Sequence, residues 1–454
     1  MKNTRAQRVL TLGLSIALAG TVAACGSSDS GTSDEGSGST ASGPAGWRPN
    51  DSRPENEIHV LVLGDAAASA EKAAADRFNK TSDVKVVIDT GATAGAEYNT
   101  TVRTQIGTPN APDIFMSWGA AGIAPLLKAK ALLPLDDFIK EDPKLKSMFV
   151  PSVFDEEVVD GKSYGIPMRG VAPEFMYYNK KVLDKAGLKP ATTWDELMSQ
   201  VQTLKGQNVI PIGLAGADKW PQQIWFQYVY AREIGNDQVA KGLAGDASVW
   251  ESDGSKKALA DIRSLIDAGA FGQNFASVSY GGDGSAALLR SGKSAYELMG
   301  SWHYATVGDA KDLGWTTFPT ISGGAGQEGE IVGNLSNYYN VSADTRYPDT
   351  VRDFLKELYS PDFQKAELAL GNLPPTTDAA QFVNSSKKLD ASTKDHLTFV
   401  SGLVNDAPTF QLSWDQTVPA SQQVASQDAA ADFFNGAIDA DGFIKKMVQI
   451  TSSK

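Results

Sequence analysis

Three histidines, one cysteine and nine tryptophans are the residues of this 454-residue chain with the most specific chemistry to offer, set among 54 acidic and 41 basic side chains. His59, His303 and His396 stand far apart, and none falls in a His-x-x-x-His spacing. Zinc, iron and thiol chemistry therefore have little to build on, and neither metal nor cofactor is expected. No G-x-S-x-G elbow and no Walker-type phosphate loop occurs. "GDGSAA" (282–287) lacks the third glycine of a dinucleotide fingerprint and reads as a loop before a helix. "DADG" (439–442) opens like a calcium loop, but Phe443 stands where the third oxygen ligand belongs, so it reads as a turn. Paired carboxylates remain: a glycosidase needs two acids about 5–10 Å apart across a sugar. Asp415 and Glu174 are the acids to follow, although sequence alone cannot pair them.

The single cysteine, Cys25, sits between two unlike segments. Before it, Lys2, Arg5 and Arg8 precede the apolar "VLTLGLSIALAGTVAA", too short for a comfortable membrane span and ending in small residues like an export signal. "Val22-Ala23-Ala24-Cys25" resembles the lipobox of bacterial lipoproteins, which implies a diacylglyceryl group on the thiol and palmitate-type acylation. After it comes "GSSDSGTSDEGSGSTASGPAG", with too little apolar surface to offset its ordering entropy. Residues 1–24 thus read as a signal peptide, 25–54 as a flexible tether, and two acyl chains as an apt anchor. The expected location is the extracytoplasmic face of the cell membrane. Removing residues 1–24 leaves 38 basic against 54 acidic residues. That balance argues against nucleic acid or anionic lipid as partners. With no second cysteine, stability must come from burial.

Elements that could position a site follow in alternation. "IHVLVLG" from near Glu57 reads as a buried strand, "AAASAEKAAADRFNKTS" as a surface helix and "DVKVVIDT" as a second strand. "EYNTTVRTQIG", "PDIFMSW" and "AGIAPLLKAKAL" continue the pattern as helix, strand and helix. A second set begins at "YGIPM" and runs through "EFMYYN", "KKVLDKAG", "TWDELMSQVQTLK" and "VIPIGLAG", with Thr193 and Glu196 spaced as a capping box. Alternation argues α/β lobes with parallel sheets, and two lobes leave a cleft between them for a small ligand.

The stretch "DGKSYGIPMRGVAPEFMYYNKKVLDKAG" (160–187) resembles the family 1 extracellular solute-binding proteins of ABC sugar importers, the maltose-binding-protein-like group. In that family a Y-G-I/V-P turn is the first crossing between lobes, followed by a YYN-K strand and helix. "TPNAPDIFMSWG" (108–119), "PATTWDEL" (190–197), "SGKSAYELMGSW" (291–302) and "LGNLPPTTDA" (370–379) are similar to its further signatures, in order, across the whole mature domain. The resemblance implies a periplasmic-binding-protein-like bilobal α/β fold whose hinge crossings flank a cleft. The implied lobes are 55–165 plus 342–398, and 166–341 plus 399–454. It also implies a monomeric, non-catalytic receptor that delivers an oligosaccharide of two or three units to a membrane permease, served indirectly by an ATPase.

Indole faces cover the C–H faces of a pyranose, and acids, amides and guanidinium groups bind its hydroxyl edge. Trp118 follows the strand "DIFMS", at the strand end where α/β sheets bind ligands. Trp302 matches the family's stacking position, Trp220 lies in the polar loop "GADKWPQQ", and Trp414 with Asp415 falls where the family's last cleft segment does. Arg169 and Glu174 follow the first crossing; Gly64 and Asp65 end the first strand; Asn334 and Asn337 flank the second crossing. Trp194, Trp225 and Trp315 are expected to pack, Trp47 lies in the tether, and Trp250 has no convincing role. A secreted glycoside hydrolase and a receptor for a peptide or polyamine remain as alternatives.

Overall fold

In the computed structural model the described residues are 43–92 and 95–452; Cys25, the expected export segment and the first part of the expected tether lie outside them. Two sheets organise this body. The first runs 85–90, 57–62, 114–117, 338–341, 165–167, and the second runs 410–412, 331–334, 172–179, 294–300, 210–213, with 313–316 paired beside 172–179. Each has its own core, one rich in aliphatic residues and phenylalanine around Ile58, Val60 and Ile114, the other built on aromatics such as Trp225, Trp250 and Phe226.

Local chemistry forms the elements as read from the sequence. Thr193 Oγ1 accepts from the Glu196 amide at 3.2 Å, and Glu196 Oε2 accepts from the Thr193 amide at 3.2 Å, closing the capping box on helix Trp194–Gly206. Asn179 caps helix Lys180–Ala186, which Gly187 ends at φ 69°.

Sheet direction departs from expectation. Strands Glu57–Val62, Lys85–Thr90 and Ile114–Ser117 are parallel, but Tyr338–Val341 pairs antiparallel to both Ile114–Ser117 and Gly165–Pro167. The chain re-enters the first lobe from the second through this strand, so it runs against its neighbours. Residues 338–341 therefore sit in the first sheet, not the second lobe. Helix Ala391–Asp406, which the expected boundary at 398 cuts, places His396 and Phe399 against Phe175 of the second sheet. The folded body also starts before residue 55. Trp47 Nε1 donates to the Thr345 carbonyl at 2.7 Å, and Arg53, only 3% exposed, pairs with Asp113 at 3.0 Å and Asp344 at 2.6 Å. An arginine neutralised by two carboxylates can be buried, so residues 43–54 dock on the first lobe instead of trailing free.

Three crossings join the lobes and are laced together. The Met168 amide donates to the Asn337 carbonyl at 2.6 Å, and the Gly170 amide to the Leu373 carbonyl at 2.8 Å. Ser336 Oγ donates to the Arg169 carbonyl, and Gln416 Nε2 to the Ser336 carbonyl at 3.0 Å. A Cβ at position 170 would lie 2.8 Å from the Leu373 carbonyl oxygen, so glycine is what lets the first and third crossings touch.

Candidate functional site

A cleft beside these crossings holds about 1300 Å³ of space, its open mouth included. From the first lobe, Asp65 and Trp118 reach it just beyond the C-terminal ends of strands Glu57–Val62 and Ile114–Ser117. Trp118 stands edge-on to Tyr98 at 5.5 Å and 84°, and the buried Tyr98 hydroxyl is fixed by donating to the Leu61 carbonyl at 2.7 Å. From the second lobe come Glu174 on Ala172–Asn179, Trp302 after Ser294–Gly300, Asn334 ending Ile331–Asn334, and Asp415 after Phe410–Leu412. Trp220 opens helix Trp220–Ile234, turned into the cleft by Lys219 at φ 63°. Its ring lies 6.3 Å from Trp302 at 50°, and 4.9 Å from Tyr280 edge-on. The Trp302 ring folds back over Gly300, where a Cβ would lie 2.0 Å from Cζ3.

The cleft brings together Trp118, Trp220, Trp302, Asp65, Arg169, Glu174, Asn334, Asn337 and Asp415. Two expected residues are not among its walls. Trp414 is fully buried, edge-on to Trp250 at 5.5 Å and to Tyr230 at 5.8 Å, and belongs to the second lobe's aromatic core. Sequence proximity to a cleft aspartate could not reveal that the indole points the other way. Gly64 does not line the cleft, although its neighbours Leu63 and Asp65 do. The packing expected of Trp194, Trp225 and Trp315 is observed, and Trp250 joins them in the core.

Residues that sequence reasoning missed include Tyr280, Asp218, Asn372 and the pairs Gln223/Gln227 and Gln423/Gln427. The glutamines carried a legible signal. Each pair is spaced i, i+4, and so forms a polar stripe on one face of helices Trp220–Ile234 and Ala420–Phe434.

Arg169 has its guanidinium within 3.4 Å of Glu71 and 3.3 Å of Glu367, and both acids are buried. Tyr339 donates to Glu71 at 2.8 Å and Asn372 Nδ2 to Glu367 at 2.9 Å, so the group is a buried network at the hinge and not a surface ion pair. Burial raises the pKa of both acids, and Arg169 opposes the rise. Burial pushes Glu174 up to about 8, with the Asp415 charge adding to the rise and Ser413 Oγ, donating at 3.0 Å, opposing it. Burial also lifts Asp415 to about 6. Among the described residues no cluster of three or more His, Cys, Asp or Glu could hold a metal, and no helix is long and apolar enough to cross a membrane.

This arrangement can sandwich a flat, hydroxyl-rich molecule between indoles from two lobes and satisfy its edge with carboxylates and amides. The model of the family described as bacterial extracellular solute-binding protein matches residues 63–365. A Rhizobium meliloti protein named "Probable sugar-binding periplasmic protein" is 25% identical over 403 residues, covering 86% of this chain and 92% of that protein. A structure solved in work on xylan utilization by the thermophilic bacterium Caldanaerobius polysaccharolyticus superposes with a TM-score of 0.77 at 25% identity, covering 87% of this chain and 99% of that one. A chitin oligosaccharide binding protein superposes with a TM-score of 0.75 at 21% identity, covering 87% and 98%.

Proposed function

This chain belongs to the bacterial extracellular solute-binding proteins, and from that premise we propose that it is the carbohydrate receptor of an ABC importer, capturing a short oligosaccharide between its lobes and presenting it to a membrane permease. What supports the reading is that Trp118 from one lobe and Trp220 and Trp302 from the other line one cleft, with Asp65, Glu174 and Asp415 among its walls. Each ring can cover one sugar face, so two or three units fit the aromatic count. The sugar-binding name of the Rhizobium meliloti relative and the oligosaccharide ligand named for a structural neighbour support the same class.

Binding works through closure. A sugar held by one lobe alone shifts nothing; a sugar touching Trp118 and Trp302 together stabilises the closed form by its differential contacts. Micromolar affinity corresponds to about −8 kcal/mol, within reach of stacking rings plus several charge-assisted hydrogen bonds. Glu174 and Asp415 act here as acceptors of ligand hydrogen bonds, not as an acid and nucleophile. In this reading the receptor is a monomer held at the extracytoplasmic face of the cell membrane through Cys25. Calorimetric titration with xylo-, cello-, malto- and chito-oligosaccharides tests the reading, alongside an assay for reducing ends. Saturable binding with intact sugar is expected; release of reducing ends refutes it in favour of a hydrolase. Cys25→Ser should release the protein from membranes into the medium, and retention would refute the anchor.

A further inference from the structure

The cleft is charged in one direction. Asp65, Glu174, Asp218 and Asp415 line it, against Arg169 as the one cation among the described residues of its walls, and that guanidinium is already committed to Glu71 and Glu367. Lys219, next to Trp220, is paired outward with Asp428 at 2.6 Å. The unsatisfied polar atoms carry the same message independently. Glu174 is 2% exposed with Oε2 unpartnered, and Asn334 is 8% exposed with Oδ1 unpartnered. Both are acceptors. They share one face of the second sheet, because Asn334 pairs with Ala172, two residues before Glu174. A buried acceptor without a donor costs roughly 1–3 kcal/mol, so the cleft floor is built for a ligand that brings donors.

Hydroxyls bring donors without charge, and would leave the acidic side chains of the cleft without a counter-ion. An ammonium brings three donors and the charge. Resting on the carbohydrate-receptor reading, we propose that the preferred ligand is an oligosaccharide bearing a free amine, an amino sugar whose ammonium sits on Glu174 and Asp415 with Asn334 accepting beside it. The neighbouring indoles hold the ring faces, and a cation near them gains further from the ring quadrupole. In the empty cleft burial keeps Glu174 largely protonated at neutral pH. A bound ammonium reverses that preference and expels the carboxyl proton, which goes to buffer when the free ligand is already protonated.

The test is calorimetric titration of the full protein with oligosaccharides in matched pairs, each neutral member beside its counterpart carrying a primary amine, acetylated chitotriose beside the deacetylated trimer among them. Running it in two buffers of different ionisation enthalpy reads the proton. We expect the amine member of the best pair to bind about tenfold tighter, with proton release only for that member. In Glu174→Gln the preference should fall to near unity and the proton release vanish. Asp415→Asn, at a partly exposed position, should reduce the preference as well and serves where Glu174→Gln does not fold. Neutral sugars binding as tightly as their amine counterparts would overturn the inference and leave the receptor standing. A response to spermidine equal to that of the amino sugar would also overturn it, and silence across every sugar would sink the receptor reading together with it.

Discussion

Gly300→Ala probes how the second lobe aims its stacking ring. An ideal Cβ at this position would lie 2.0, 2.2 and 2.3 Å from three atoms of the Trp302 six-membered ring. Ordinary carbon–carbon contact is ~3.5–4.0 Å, so the ring must retreat by about 1.5–2 Å. Gly300 closes an extended strand and is absent from the residues with positive φ, so alanine meets no backbone strain there. The damage falls on the ring, which is only partly buried and lines the cleft. Losing one well-placed aromatic face costs about 1–2 kcal/mol, a weakening of about 5- to 30-fold. Calorimetry with the best-binding oligosaccharide should show that loss while the urea midpoint moves little. Gly402→Ala is the internal control. Nothing lies within 4 Å of its Cβ position in helix Ala391–Asp406, so it should gain about 0.5–1 kcal/mol of stability and keep its affinity. An unaltered dissociation constant in a folded Gly300→Ala protein would refute the claim that this glycine sets the ring.

Other substitutions separate fold from site. Trp414→Ala should destabilise by about 3–5 kcal/mol in urea titrations because it empties the aromatic core beside Trp250 and Tyr230; a loss under about 1 kcal/mol would contradict the packing. Arg169→Ala leaves Glu71 and Glu367 buried without a counter-charge, with an expected cost of about 3–5 kcal/mol at pH 7. That cost should shrink as the pH falls and the acids take up protons, and equal losses at pH 7 and pH 5 would argue against an electrostatic origin. Glu157 is fully buried, accepting from Ser117 Oγ at 3.2 Å and Asn340 Nδ2 at 3.0 Å, and burial lifts it from the ordinary 4.5 to about 8. Between those values the native state keeps a proton that the unfolded chain has released. Stability therefore falls with rising pH, by up to about 1.4 kcal/mol per unit for this group. Glu157→Gln should flatten the melting profile over that window and melt higher than the parent at pH 8; an unchanged slope would show the carboxyl to be ionised throughout.

What the sequence disclosed was local. The period of "IHVLVLG" and "PDIFMSW" and the Thr193 capping box are decided by residues within a few positions, and each stands where it was expected. Placement at strand ends likewise put Trp118 and Asp65 at the cleft. Pairing across hundreds of residues was not visible. Nothing in "YYNV" announces that it will run antiparallel to Ile114–Ser117. Direction failed in the same way: Trp414 and Asp415 are neighbours in the chain, but successive side chains leave the backbone differently, one to the core and one to the cleft. Arg53 and Trp47 were masked by their glycine- and proline-rich surroundings, and only partners near residues 113 and 344 reveal that this segment is docked.

The lacing of the crossings bears on what a permease can sense. Chain segments tied to one another at Met168–Asn337, Gly170–Leu373 and Arg169–Ser336 behave as the knuckles of a door hinge. Such ties would resist sliding and torsion more than rotation about the joint. Cargo of different size or linkage would then be reported to the transporter as a single angle between the two outer faces. Cleft side chains could be exchanged for a new diet without redesigning the surface that announces a full load.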